Sequence, residues 1–155
     1  MFLKQNEKKK KWPRLTKLTA YTTFEYSDIS VSSTATPGPA TGTLKPGGPE
    51  DLYEIVATIT ATITNSGEVD GAEVAQLYVT YPSSAPETPP KQLRGFQKLK
   101  LKAGEAGEAT FNVRRKDISF WDVGQQKWVV PEGEFKVAVG ASSRDLRLDG
   151  AFTVA

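Results

Sequence analysis

The stretch "IVATITATITN", residues 55–65, limits the fold most strongly, because apolar and threonine residues alternate along most of it. In an extended strand, alternate residues point to opposite sides, so a period of two is typical of a half-buried β-strand. The predicted inner side consists of Ile55, Ala57, Ile59, Ala61 and Ile63. The predicted outer side consists of Thr58, Thr60, Thr62 and Thr64.

Shorter stretches of the same kind recur to the end of the chain, separated by turns rich in Gly, Pro, Asn and Asp. They predict seven or eight antiparallel strands and no helix. We therefore expect residues 21–155 to form one all-β domain, a β-sandwich of the immunoglobulin or fibronectin type III kind. A change of phase near Ser27 and Asp28 predicts a β-bulge. Residues 34–50 hold four prolines and four glycines, and they predict a long surface connection outside the core.

The composition excludes several classes of enzyme. The 155 residues contain no cysteine and no histidine. A Ser-His-Asp triad, a cysteine nucleophile and a cysteine or histidine metal site are therefore excluded. A pair of carboxylates such as Asp117 and Asp122 stays open in principle, although capping of a turn is the expected role of Asp122. We expect no catalytic residue, no cofactor and no metal.

The first twenty residues differ from the rest in charge. Residues 1–20 carry seven basic residues and one acidic residue, whereas the remaining residues carry 13 basic and 17 acidic ones. They have no regular period, and Pro13 interrupts them, so we expect a disordered or loosely attached leader. The run Lys8 to Lys11 also fits a nucleic-acid patch, but the acidic body argues against a nucleic-acid partner. No apolar run is long enough for a membrane span or a signal peptide.

Three quoted motifs carry a family resemblance: "GAEVAQLYV", "PPKQLRGFQKLKLKAGE" and "RRKDISFWDVGQQKWVVPEGEFKVAVGASSRDLRL". With "YTTFEYSDISV", they resemble the C-terminal fibronectin type III-like domain of glycoside hydrolase family 3 β-glucosidases of fungal type. The resemblance implies a non-catalytic domain that follows a barrel with a nucleophilic aspartate and an α/β domain with an acid/base glutamate. Neither catalytic motif matches a position of this chain.

The resemblance predicts an accessory domain that stabilises or orients the catalytic domains or aids substrate contact. Its expected partners are those domains in the same polypeptide, and a glucan or cellulosic substrate. It also implies an extracellular location. In the family a glycine-rich run precedes the "YTTF" segment, whereas "RLTKLTA" stands here, so we expect residues 1–20 to be a foreign start on a truncated gene. A stand-alone carbohydrate-binding or adhesion module is the alternative.

Two groups of residues are the candidate sites. Arg94, Gly95 and Phe96 are candidates for docking to a neighbouring domain, since a guanidinium fits carboxylates or backbone carbonyls. A kink at Gly95 is expected to return Phe96 to the core side. Trp121 and Trp128 are candidates either for stacking on sugar rings or for core packing.

Overall fold

The computed structural model describes residues 22–155, so the predicted leader, residues 1–20, lies outside the described residues. The described part contains twelve strands and two short 3₁₀ turns, at Glu50–Tyr53 and Arg115–Ile118. In chain order the strands are β1 (Phe24–Ser33), β2 (Gly38–Pro39), β3 (Leu44–Lys45), β4 (Gly48–Pro49), β5 (Ile55–Asn65), β6 (Gly71–Thr80), β7 (Gln92–Leu101), β8 (Ala106–Arg114), β9 (Phe120–Asp122), β10 (Lys127–Val130), β11 (Gly133–Ser142) and β12 (Asp145–Val154).

The predicted β-sandwich is confirmed. Seven long strands form two antiparallel sheets, one in the order β1-β5-β8 and one in the order β12-β11-β6-β7. The short strands form two smaller groups, β2-β10-β9 and β3-β4. The inner sides of the two main sheets enclose one hydrophobic core, as the alternation of apolar residues requires.

The alternation of residues 55–65 follows the prediction along most of β5. Ile59 and Ile63 are fully buried, and the threonines between them are half-buried on the outer side. Ile55 departs from it: its side chain is exposed, because the pairing of β5 with β8 shifts register between Ile55 and Ala57. Where an extra residue enters the ladder, the residues beyond it point to the opposite side of the sheet from the one that the alternation predicts.

Aromatic rings fill the centre of the core. Phe135 stacks on Phe152 with ring centroids 5.2 Å apart, and Tyr81 meets Phe135 edge to face at 5.3 Å. The Tyr81 hydroxyl lies 2.9 Å from the carbonyl oxygen of Asp117 and 3.0 Å from that of Ser119, and it donates a hydrogen bond to this pair of acceptors. The segment that directly follows β6 is thereby tied to the second 3₁₀ turn.

The predicted bulge in β1 is confirmed. The register of β1 against β5 shifts between Ser27 and Ser30, and Asp28 has a φ of 54°. This left-handed conformation restores the inward direction for Ile29 and Val31, which pack against the core.

The connection from residue 34 to residue 54 has more contacts than the sequence predicted. Its β2 pairs with β10, and Leu52 in its 3₁₀ turn is fully buried. The buried guanidinium of Arg115 donates a hydrogen bond of 3.0 Å to the carbonyl oxygen of Gly38. The Asp51 carboxylate accepts hydrogen bonds from the backbone N–H of Thr41. These bonds hold the connection against the end of the sandwich.

Candidate functional site

The first candidate site is the bulge in β7. Along the β6–β7 ladder, Leu77 lies opposite Gly95, but Tyr78 lies opposite Leu93, so Arg94 is the extra residue. Gly95 faces inward, where a Cβ atom would lie 3.1 Å from Cδ1 of Phe111. This close approach favours glycine, since the Phe111 ring would have to shift by a few tenths of an ångström to make room for a Cβ atom.

The Arg94 guanidinium bonds within its own domain. Its Nε donates a 2.7 Å hydrogen bond to the carbonyl oxygen of Asp117, and its Nη2 donates to the hydroxyl of Tyr81 and to Oε1 of Gln92. Burial raises the pKa of Tyr81, and the neighbouring Arg94 opposes that rise. Arg94 therefore joins β7 to the loops at the end of the sandwich.

Phe96 lies on the outer side of the sheet, so the expectation that it returns to the core is wrong. Its side chain is 72 % exposed, and it lies opposite Gln76. Because Arg94 is the extra residue in the ladder, Gly95 takes the next inward position and Phe96 the outward one. The sequence suggested a kink here, but which residue it would turn depends on the pairing with β6.

Phe96 belongs to an exposed apolar surface. Leu93 is 49 % exposed on the same side of β7, and Val74 and Tyr78 lie on that side of β6 with Gln76 between them. We call these four residues, Val74, Tyr78, Leu93 and Phe96, the apolar face. Sequence reasoning missed it, because only the β6–β7 register brings these side chains to one side.

The second candidate site is the hairpin of β9 and β10. Trp121 and Trp128 lie opposite each other in its ladder, with ring centroids 5.6 Å apart and an interplanar angle of 70°. The Asp122 carboxylate accepts a 3.0 Å hydrogen bond from the N–H of Gln125, which confirms its predicted role as a turn cap. Neither tryptophan belongs to the hydrophobic core cluster, and Trp121 is 45 % exposed.

A cleft of about 570 Å³ lies between the hairpin and the segment 40–49. Trp121 and Trp128 form one wall, and Leu44, which is 79 % exposed, lies on the other. The ammonium group of Lys116 lies 5.7 Å from the centroid of the Trp128 ring. We call this space the tryptophan cleft.

The two carboxylates considered as a catalytic pair have structural contacts. Asp117 accepts hydrogen bonds from the backbone N–H of Arg114 at 2.9 Å and from its Nε at 3.3 Å, while Asp122 caps the hairpin turn. Within residues 22–155, no group of three or more acidic side chains is arranged to hold a metal ion. The same residues contain no helix long and apolar enough to cross a membrane.

Comparison with known proteins agrees with the topology. A family model described as a fibronectin type III-like domain matches residues 73–143. The sequence is 64 % identical over 135 residues to "Probable beta-glucosidase L" of Aspergillus terreus, covering 87 % of this chain and 18 % of that protein. The fold superposes on the β-D-glucoside glucohydrolase of Trichoderma reesei with a TM-score of 0.86 and 65 % identity, covering 87 % and 19 % of the two chains.

A solved glycoside hydrolase family 3 β-glucosidase from Neurospora crassa matches with a TM-score of 0.74 at 28 % identity, covering 85 % of this chain and 25 % of that one. The chain carries a fibronectin type III-like domain of glycoside hydrolase family 3 β-glucosidases. The resemblance seen in the sequence motifs is thereby confirmed.

This fibronectin type III-like domain spans less than a fifth of the Aspergillus terreus and Trichoderma reesei proteins. In those proteins the matching region is part of a longer single polypeptide.

Proposed function

We propose that this domain is a non-catalytic accessory module of a β-glucosidase-type glycoside hydrolase, and that it stabilises or orients the catalytic part of the same polypeptide. The family supports this assignment, and the whole protein would hydrolyse β-glucosides with carboxylates supplied outside this domain. The family resemblance also implies secretion, so an extracellular location is part of the proposal.

The apolar face carries this proposal. Phe96 and Leu93 expose large hydrophobic side chains on a domain that buries its other strand-borne phenylalanines, Phe24, Phe111, Phe135 and Phe152, by more than nine-tenths, with Phe120 half-buried. Large apolar side chains grouped on one exposed side of a folded domain favour contact with another protein surface. The catalytic part of the same polypeptide is the occupant we propose, because the relatives carry this region within far longer chains.

We propose a different role for each of the three docking candidates. Phe96 contacts the neighbouring domain, Gly95 allows β7 to approach Phe111, and Arg94 holds the bulge in shape from inside. This division follows from their contacts: the Arg94 donors bond to Asp117, Tyr81 and Gln92, whereas Phe96 is mostly exposed.

The test compares one substitution in two proteins. The first is a chimera, in which this domain replaces its 64 % identical counterpart in the Aspergillus terreus relative. The second is the isolated 155-residue chain. Phe96→Ser should lower the melting temperature of the chimera by a few degrees, as for an interface residue that contributes about 1–3 kcal/mol. It should leave the melting temperature of the isolated chain unchanged, because the side chain is already in water there.

Val123→Ser is the matched control, because Val123 is 73 % exposed at the hairpin turn, away from the apolar face. It should change neither melting temperature. Turnover of an aryl-β-glucoside per folded chimera should be unchanged by Phe96→Ser. Equal effects of Phe96→Ser on chimera and isolated chain, or none on either, would contradict the docking role.

A further inference from the structure

The hairpin of β9 and β10 presents an aromatic surface that the fold itself does not bury. Trp121 is 45 % exposed, although its partner Trp128 holds it in a fixed edge-to-face arrangement. The hydrogen bond from the N–H of Gln125 to Asp122 fixes the turn between them. A rigid, half-exposed indole loses little conformational entropy when a ligand covers it, which favours a binding role.

Trp121 lines two depressions. The tryptophan cleft lies on one side of it, and a shallower depression of about 570 Å³ lies on the other, bounded by Ser84, Pro86 and Asp122. Both volumes lie within the range of about 300–1,000 Å³ that is typical of small-ligand sites. Because Trp121 is common to both depressions, an elongated ligand with several rings can cross it.

The chemistry of the tryptophan cleft fits a neutral, hydroxyl-rich ligand. Of the described residues that line it, Lys127 is the one with a charged side chain, and the polar groups beside it include Gln126 and Thr41. Together with Lys116, whose ammonium group lies 5.7 Å from the Trp128 ring centroid, this makes two separate lysines, which are a weak site for a polyanion. The large apolar area of Leu44 and the two tryptophans disfavours a polyanion further. Amide and hydroxyl groups around an aromatic wall can orient a ligand by hydrogen bonds while its rings stack.

We propose that the tryptophan cleft binds a β-linked glucosyl chain, with one pyranose ring stacked on Trp121. The ring substituents of β-glucose are all equatorial, so both faces of the ring present C–H groups that an indole face can cover. The choice of glucose rests on the proposed function. The stacking site itself rests on the exposure and the rigid placement of Trp121.

Cellotetraose titrated into the 155-residue chain, followed by calorimetry, tests this site. We expect saturable binding that Trp121→Ala weakens at least tenfold, because an exposed side chain can be truncated without loss of folding. Leu44→Ser, on the opposite wall, should weaken binding by a smaller factor while the tryptophan pair stays intact. Phe96→Ala removes an exposed aromatic ring elsewhere, and it should leave the affinity unchanged.

Maltotetraose has the same composition with α linkages, and it should bind at least several-fold more weakly. No saturable binding of cellotetraose, or equal binding to the Trp121→Ala variant, would overturn the proposed site. A third outcome would also overturn the site: no glycan binding, together with a lower melting temperature of the chimera when it carries Trp121→Ala. That pair of results would mean that the rest of the polypeptide covers the cleft.

The two proposals fail separately. Glycan binding through Trp121 without any effect of Phe96→Ser on the chimera would support this inference and contradict the docking role. The opposite pair of results would overturn the glycan site and support the docking role.

Discussion

The outer sides of the two main sheets are built from the same alternating strands, but they differ in chemistry. On the three-stranded sheet, most outer positions of β1, β5 and β8 carry hydroxyl or amide groups, and Glu25 and Glu108 add carboxylates. We call these residues the hydroxyl face: Ser27, Ser30, Ser32, Thr58, Thr60, Thr62, Thr64, Thr110 and Asn112. On the four-stranded sheet, β6 and β7 carry the apolar face in the corresponding outer positions.

Threonine suits a strand that must stay in water, because its branched carbon favours the extended backbone and its hydroxyl bonds to solvent. The hydroxyl face also has cross-strand contacts, such as the 3.3 Å hydrogen bond from Thr58 Oγ1 to Asn112 Oδ1. Strand propensity favours phenylalanine as well as threonine, so it does not distinguish the two faces, whereas the exposed apolar area of Phe96 does. Of the two faces, the apolar face is the one suited to the docking role proposed above.

The start of β6 sharpens this contrast. Val74 is on the outer side and exposed, while Glu73 is on the inner side and half-buried. Burial raises the pKa of the Glu73 carboxyl above its ordinary value. An apolar residue outside and a carboxylate inside is the reverse of what an isolated sandwich prefers, which agrees with the proposed covering of the apolar face.

The largest expected effect tests whether the hydroxyl face contributes to stability. Ile59→Ala should lower the free energy of unfolding by about 2–5 kcal/mol, because a fully buried side chain is removed from the core. Thr60→Ala, one residue on and on the outer side, should lower it by less than about 1 kcal/mol. Urea unfolding of the isolated chain measures both. Equal losses of stability in the two variants would contradict this expectation, because the outer hydroxyl groups would then stabilise the sheet as much as the core side chains do.

The sequence predicted the inner and outer sides of β5 well, because a strand in the middle of a sheet with a single buried side has strong alternation. It predicted the capped turn at Asp122 for a similar reason, since the two strands of the hairpin are adjacent in the chain and a short turn joins them. Such local pairing needs no knowledge of distant strands.

Phe96 shows the limit of that approach. The break in alternation after Leu93 was visible, but its direction depends on Tyr78 and Leu77 of β6, which fix Arg94 as the extra residue. The tryptophan cleft was not predictable for the same reason. Its opposite wall comes from Leu44, which lies more than seventy residues earlier and is positioned by the pairing of β2 with β10.

Arg94→Ala should have the next largest effect. It distinguishes the internal bonds that hold the β7 bulge from the exposed side chains of the apolar face. The free energy of unfolding of the isolated chain should fall by about 1–3 kcal/mol, since the carbonyl oxygen of Asp117 loses a charged donor. Phe96→Ser should leave that free energy unchanged. Arg94→Lys keeps the charge without the planar fork, so an intermediate loss is expected. Loss of stability in the chimera alone would mean that Arg94 contacts the neighbouring domain directly.

Glu73→Gln is expected to have a smaller effect, of opposite sign. Because burial raises the folded-state pKa of Glu73, the ionised carboxylate costs stability above that pKa, and the cost disappears as the pH falls through it. The substitution should therefore stabilise the isolated chain near neutral pH, by less than about 1 kcal/mol because the group is half-exposed. It should also reduce the rise in stability on acidification. Unfolding by urea at several pH values tests this, and a variant less stable at neutral pH would show that the carboxylate is needed where it lies.

The smallest effect on stability, and the sharpest test of the comparison, comes from converting one face toward the other. Thr62→Val keeps the branched shape and removes one outer hydroxyl, so the free energy of unfolding should change by no more than about 0.5 kcal/mol.

The apolar side chain introduced by Thr62→Val should increase self-association of the isolated chain, because it enlarges the exposed hydrophobic area of a sheet face. Phe96→Thr should decrease self-association by the same reasoning. Sedimentation of both variants at equal concentration measures the shift. If Thr62→Val left association unchanged while Phe96→Thr increased it, exposed apolar area would not distinguish the two faces, and the apolar face would need another explanation.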